Sequence, residues 1–195
     1  MAGRRLPLIP VDKLSAEQRK VYDSIRGGPR SKLSSFSGAA PGPLGGPFNM
    51  MLRSPGIGQI VQSLGGEIRF NSSLPAKLNE FAIIVTARYW TSQYEWHAHC
   101  RLAIEAGLDP AKAKDVAENR RPANMDEAEA TVYDFSHELH TTKSVSDENY
   151  KRVLDLFGER GVFDLIAVNG YYSLVSMVLN VDRAQLPDGV PLPLK

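Results

Sequence analysis

Apolar residues recur at helical three- and four-residue spacing along most of this chain, and the segments between them begin and end on recognisable helix signals. Ser15 and Gln18 are spaced for a reciprocal capping box before a segment running to Ile25, which GGPR then stops. PFNMMLRS and PGIGQIVQSLGGEIRF predict a short helix and a longer one, with Pro47 and Pro55 near their first turns. Ser73 is positioned to cap LPAKLNEFAIIVTARYW, which should run to about Trp90. Asp109-Pro110 opens a further helix to about Asn119, another covers residues 126–140, and Ser146 caps residues 147–157. Residues 161–181 form a last, long apolar helix, followed by an extended tail over 182–195. No sustained alternating run bounded by hairpin dipeptides and no fixed-period repeat occurs, so the fold class is all-α.

Between the first two helices, residues 27–47 are rich in Gly, Pro and Ser. A loop of this length is uncommon in a compact domain. It reads either as a linker or as a functional segment, such as a lid or an arm laid on a neighbouring subunit.

Composition narrows the classes. A chain of 195 residues, 43% hydrophobic and 23% charged, has enough material for one core, and we expect a single domain over 1–195. Its 23 basic and 22 acidic residues nearly cancel without a basic stripe, so no nucleic-acid partner is expected. One cysteine excludes an internal disulfide, a CxxC redox pair and a four-thiolate zinc site. The N-terminus has no signal-type apolar stretch and the longest apolar segments are interrupted, so we expect a cytoplasmic protein with no membrane association.

The chemistry concentrates in SQYEWHAHCRLAIEAG, residues 92–107, which holds Glu95, His97, His99 and Cys100. On a helix, His97, Arg101 and Glu105 share a polar stripe, whereas Glu95, His99, Leu102, Ala103 and Ala106 share one that is polar at its head and apolar below. The two histidines therefore point apart, His97 to solvent and His99 inward. Ser92 and Glu95 are spaced for a capping box, a purely structural use of that glutamate. Glu95 also lies one turn before His99, where a carboxylate bonds the ring and raises its pKa. On the preceding helix, Glu80 lies with Ala76, Ile83, Ala87 and Trp90 on a face that packs inward, too deep to be a cap. A tight turn at Trp90-Thr91 would pack the two helices antiparallel and bring Glu80 level with the first turns of the second. Two carboxylates and an imidazole would then converge in an apolar pocket, either as an acid–base site or as a structural ion pair.

The pattern Glu80-x11-Ser92-x2-Glu95-x3-His99, followed by an apolar turn and Ala-Gly-Leu, resembles the carboxymuconolactone decarboxylase family of the alkylhydroperoxidase D-like superfamily over residues 74–117. GPR, GPFNMMLRSP and GYYSLVSMVLN resemble longer members and extend the likeness over most of the chain. The resemblance implies a helical bundle of that type. In the hydroperoxidase branch the pattern is E-x11-C-x2-C-x3-H, with two thiols doing the redox chemistry. Here those positions are Ser92 and Glu95, and peroxide reduction needs sulfur at both. Cys100 shares a stripe with Trp96 and Ile104, so an atypical peroxidase using it is the rival enzymatic reading, and a non-catalytic member is the other.

The decarboxylase branch implies a Glu/His acid–base site with neither metal nor organic cofactor. Its catalytic set would be Glu80, Glu95 and His99, acting on a small anionic substrate. Ser92 and Tyr94 are candidates to bind that substrate, with a cation from Arg30, Arg53, Arg88 or Arg101. Arg30, in the GGPR loop, is placed to close over the pocket, and Arg101 lies on the solvent stripe. Such a likeness also implies a homo-oligomer, most often trimer-based, in keeping with the apolar last helix. His137 and His140, three apart on one helix, would bind a metal only with a third ligand. Asn169, Tyr171, Tyr172 and Asn180 interrupt the last apolar helix and are expected at the pocket, against a neighbouring subunit or in ordinary buried hydrogen bonds.

Overall fold

The computed structural model describes residues 3–28 and 42–195. Among them are eight α-helices, a single 3-10 turn at Val11–Lys13 and no strand, so the chain is all-α. The helices are α1 (Ala16–Gly27), α2 (Phe48–Met51), α3 (Pro55–Phe70), α4 (Ala76–Tyr89), α5 (Gln93–Glu105), α6 (Pro110–Ala117), α7 (Glu127–Thr142) and α8 (Asp147–Asp182).

Local chemistry sets most of their ends. Ser15 and Gln18 form the expected reciprocal box at α1. Asp109 accepts from the Ala111 amide at the start of α6, and Asp126 with Glu129 closes a second box at α7. Pro55 occupies the first turn of α3. Ser73 does not cap α4, contrary to expectation. Its amide and hydroxyl both donate to Asp164 at 2.7 Å, tying the start of α4 to α8, while Pro75 takes the cap position. The break expected between residues 157 and 161 falls at Gly158, whose φ of 68° and ψ of −179° are closed to residues with a Cβ.

The contacts gather into two compact units, residues 1–71 with 178–185, and residues 72–177 with 186–195. The first packs Val21, Tyr22 and Ile25 of α1 against Leu44 and Leu52. Within it α2 meets α3 so closely that a Cβ at Gly58 would lie 2.1 Å from the Met51 carbonyl oxygen. The second is built around α4, which packs on α5, α6 and α7. Every residue from Leu78 to Ala87 is buried, as expected of a helix apolar nearly all round. The polar side chains in that stretch must therefore find partners inside the protein.

Candidate active site

Glu80 is one of those residues, and the turn after α4 delivers its partners. The Thr91 amide donates to Arg88 and the Ser92 amide to Ala87, reversing the chain sharply enough for α5 to return antiparallel along α4. Thr91 adopts φ 46° to do so, an unfavourable conformation for a β-branched residue.

The antiparallel pair brings the predicted carboxylates and imidazole together. His99 Nδ1 lies 2.6 Å from Glu80 Oε2, and Nε2 lies 3.1 Å from Glu95 Oε1, one turn earlier on α5. All three side chains are at least nine-tenths buried. With a carboxylate at each nitrogen, both ring nitrogens donate, which only the imidazolium can do. Burial opposes that charge, but the fields and hydrogen bonds of Glu80 and Glu95 outweigh it and hold His99 up at about 9. The edge of the ring meets Tyr172 of α8, with centroids 5.0 Å apart.

The capping-box alternative for Glu95 does not form, because the Ser92 amide is already spent on Ala87 and the carboxylate turns to His99 instead. Ser92 keeps the position before α5, but its fully buried hydroxyl makes no hydrogen bond. Tyr94 lies half-buried in the first turn of α5. His97 is exposed, as its stripe predicted, and Arg101 pairs with Glu105 on the surface. Arg53 donates to the Pro7 carbonyl in the other unit. Arg30 lies outside the described residues, as does most of the loop around it. Cys100 is partly buried and burial pushes its thiol up, so the thiolate is disfavoured.

Two groups escaped the sequence reading. His140 is buried, its Nε2 lying 3.0 Å from Thr86 Oγ1. Thr86 also bonds Asn169, whose amide donates to Ser136 and to the Leu165 carbonyl. Among the described residues no metal-binding group forms around His137 and His140. The second group is a carboxylate at the junction of three helices, where Glu129 of α7 accepts from Lys77 of α4 and Lys112 of α6 at 2.9 and 2.5 Å.

Comparison with known proteins agrees with this frame. No curated protein sequence matches the chain. A solved structure of the debrominase Bmp8, determined as a cysteine-to-alanine variant with 2,3,4-tribromopyrrole, superposes with a TM-score of 0.68. It covers 95% of each chain at 11% identity, which establishes a shared fold. The family model described as "Carboxymuconolactone decarboxylase family" matches residues 55–138, the stretch holding Glu80, Glu95 and His99. Residues 55–138, which carry the whole cluster, therefore belong to the carboxymuconolactone decarboxylase family.

Proposed function

We propose that this protein is a cofactor-free acid–base enzyme that decarboxylates, or otherwise moves a proton on, a small carboxylated lactone or unsaturated organic acid. Family and fold support an enzyme of small-molecule chemistry. The observation that carries the finer reading is the buried imidazole held at both nitrogens by carboxylates. At neutral pH His99 carries its proton, which makes it an acid and a fixed positive charge rather than a base. When the substrate's C–C bond breaks and carbon dioxide leaves, the electron pair spreads into the adjoining carbonyl system. The imidazolium stabilises that charge and then protonates the carbon. Nε2 is the nitrogen suited to turn toward substrate, because its contact with Glu95 is the longer one, while Glu80 holds the opposite side of the ring.

The test is carbon dioxide release from a carboxylated muconolactone, measured with wild type, His99→Gln and Glu80→Gln. Turnover should be lost in both variants while each melts cooperatively as a folded protein. Absence of turnover in wild type, or full turnover in His99→Gln, overturns the proposal. A peroxidase using Cys100 has no support in the state of its thiol, and Cys100→Ala should leave turnover intact.

We also propose a homo-oligomer formed through α8. Phe163, Ile166, Leu174 and Met177 are large, exposed and spaced along one ridge, while Leu165, Val168, Tyr172 and Val175 bury the opposite face. Phe163→Glu combined with Met177→Glu should reduce the mass measured by light scattering, and an unchanged mass refutes that assignment.

A further inference from the structure

A cleft of about 330 Å³ opens beside α4, α6 and α7, and none of Glu80, Glu95 and His99 lines it. Its volume falls within the range of small-molecule sites, about 300–1,000 Å³. Two imidazole–phenol stacks line it. Tyr89 lies on His140 with centroids 4.7 Å apart and planes within 15°, and Tyr133 lies on His137 at 5.6 Å and 18°. Aromatic rings arranged this way suit a planar ligand, which they meet face-on or edge-on.

The charge at the cleft is one-sided. Arg88 lines it, and no Asp or Glu does. Its Nη1 donates to Thr91 and its Nη2 to the main-chain oxygen of Lys195, the last residue, whereas the buried Nε–H has no acceptor. Among the described residues no carboxylate side chain pairs with Arg88. His140 adds no charge of its own, since burial, ahead of the opposing bond to Asn169, holds it down at about 4. Its Nε2 meets Thr86 Oγ1, which bonds Asn169 in turn. The backbone here is also strained. Thr91 and Asn119, at φ 46° and 58°, both line the cleft, and unfavourable conformations of this kind persist where the surrounding structure holds them in place.

From these features we infer that the cleft is a second binding site, separate from the Glu80–His99–Glu95 cluster, and that it takes a planar aromatic carboxylate. The ligand ring lies among the tyrosine and histidine rings and the carboxylate meets the Arg88 guanidinium. The site stands independently of the function proposed for the first cluster.

Benzoate and its neutral counterpart benzamide are the probes, titrated into the full chain by calorimetry and by NMR of the imidazole resonances. Benzoate should saturate and shift His137 and His140, with benzamide at least about tenfold weaker, the difference expected for a charge-assisted pair. Arg88→Met should weaken benzoate by about tenfold or more. Thr141→Tyr, which narrows the cleft from the exposed side of α7, should do the same without touching the cation. Glu95→Gln should leave benzoate binding unchanged. Three results overturn the inference: no saturable benzoate binding, equal binding of benzoate and benzamide, or perturbation of His99 alone with both cleft variants binding normally.

Discussion

Replacing Glu80 with glutamine preserves the shape of the side chain and removes one of the two charges that hold His99 protonated. The ring sits at about 9 against an ordinary 6.5 because two carboxylates outweigh its burial. That rise corresponds to about 3 kcal/mol, at about 1.4 kcal/mol per pH unit. The 2.6 Å contact with Glu80 should account for more of it than the 3.1 Å contact with Glu95. Glu80→Gln should therefore lower the titration point by about 2 pH units, and Glu95→Gln by less. Imidazole NMR from about pH 5 to about pH 10 reads both directly. The linked stability has a definite sign. The folded state binds the proton more tightly than the unfolded chain, so the stabilisation is fully present below 6.5 and is lost as pH rises through about 9. Between those values the stability of wild type relative to His99→Gln should fall by about 1.4 kcal/mol per pH unit. A wild-type His99 that titrates near 6.5, or a Glu80→Gln protein that titrates like wild type, refutes the reasoning.

Three further outcomes follow from the same geometry. Glu129→Gln leaves Lys77 and Lys112 facing a neutral amide, and denaturant unfolding should show a loss of about 2–3 kcal/mol. Burial opposes the Glu129 charge, but its lysine partners hold the carboxyl below 4.5, so this contribution should persist above that pH and fade as pH drops through the lower folded value. Ser92→Ala removes a buried hydroxyl without a partner, so melting should be unchanged or correspond to about 1 kcal/mol more stability, while substrate affinity falls if the hydroxyl is reserved for substrate. Binding of an anionic substrate should take up about one proton near pH 7, measured by calorimetry in buffers of different ionisation heat; zero uptake would argue for a substrate that enters neutral.

The features legible in the sequence are those decided within one or two helical turns. The boxes at Ser15 and Asp126 and the cap at Asp109 depend on side chains reaching amides two or three residues on. Glu80 and His99 were legible because one tight turn fixes the register of two helices, and the inward stripes then fix which side chains meet. Where a distant group competes, local reading fails. Ser73 lost its capping role to Asp164, 91 residues away, and the Ser92–Glu95 box lost its amide donor to the turn at Thr91. The burial of His140 was not legible because its partners, Thr86 and Asn169, come from two other helices. Arg88 was one of four candidate arginines, and only the packing of α6 and α7 gave it a cleft to face.

The charge balance of the first site also bears on what it can accept. With both carboxylates ionised and His99 protonated, the cluster carries one net negative charge in a buried setting. A substrate carboxylate about 5 Å away would be repelled by about 3 kcal/mol at an effective dielectric near 20. Glu80, at the shorter contact, keeps the ring oriented and charged. In the dithiol pattern sulfur stands where Ser92 and Glu95 stand here, and on the proposed reading the carboxylate serves proton transfer in place of electron transfer. Under the function proposed above, proton supply rather than thiolate reactivity governs this site.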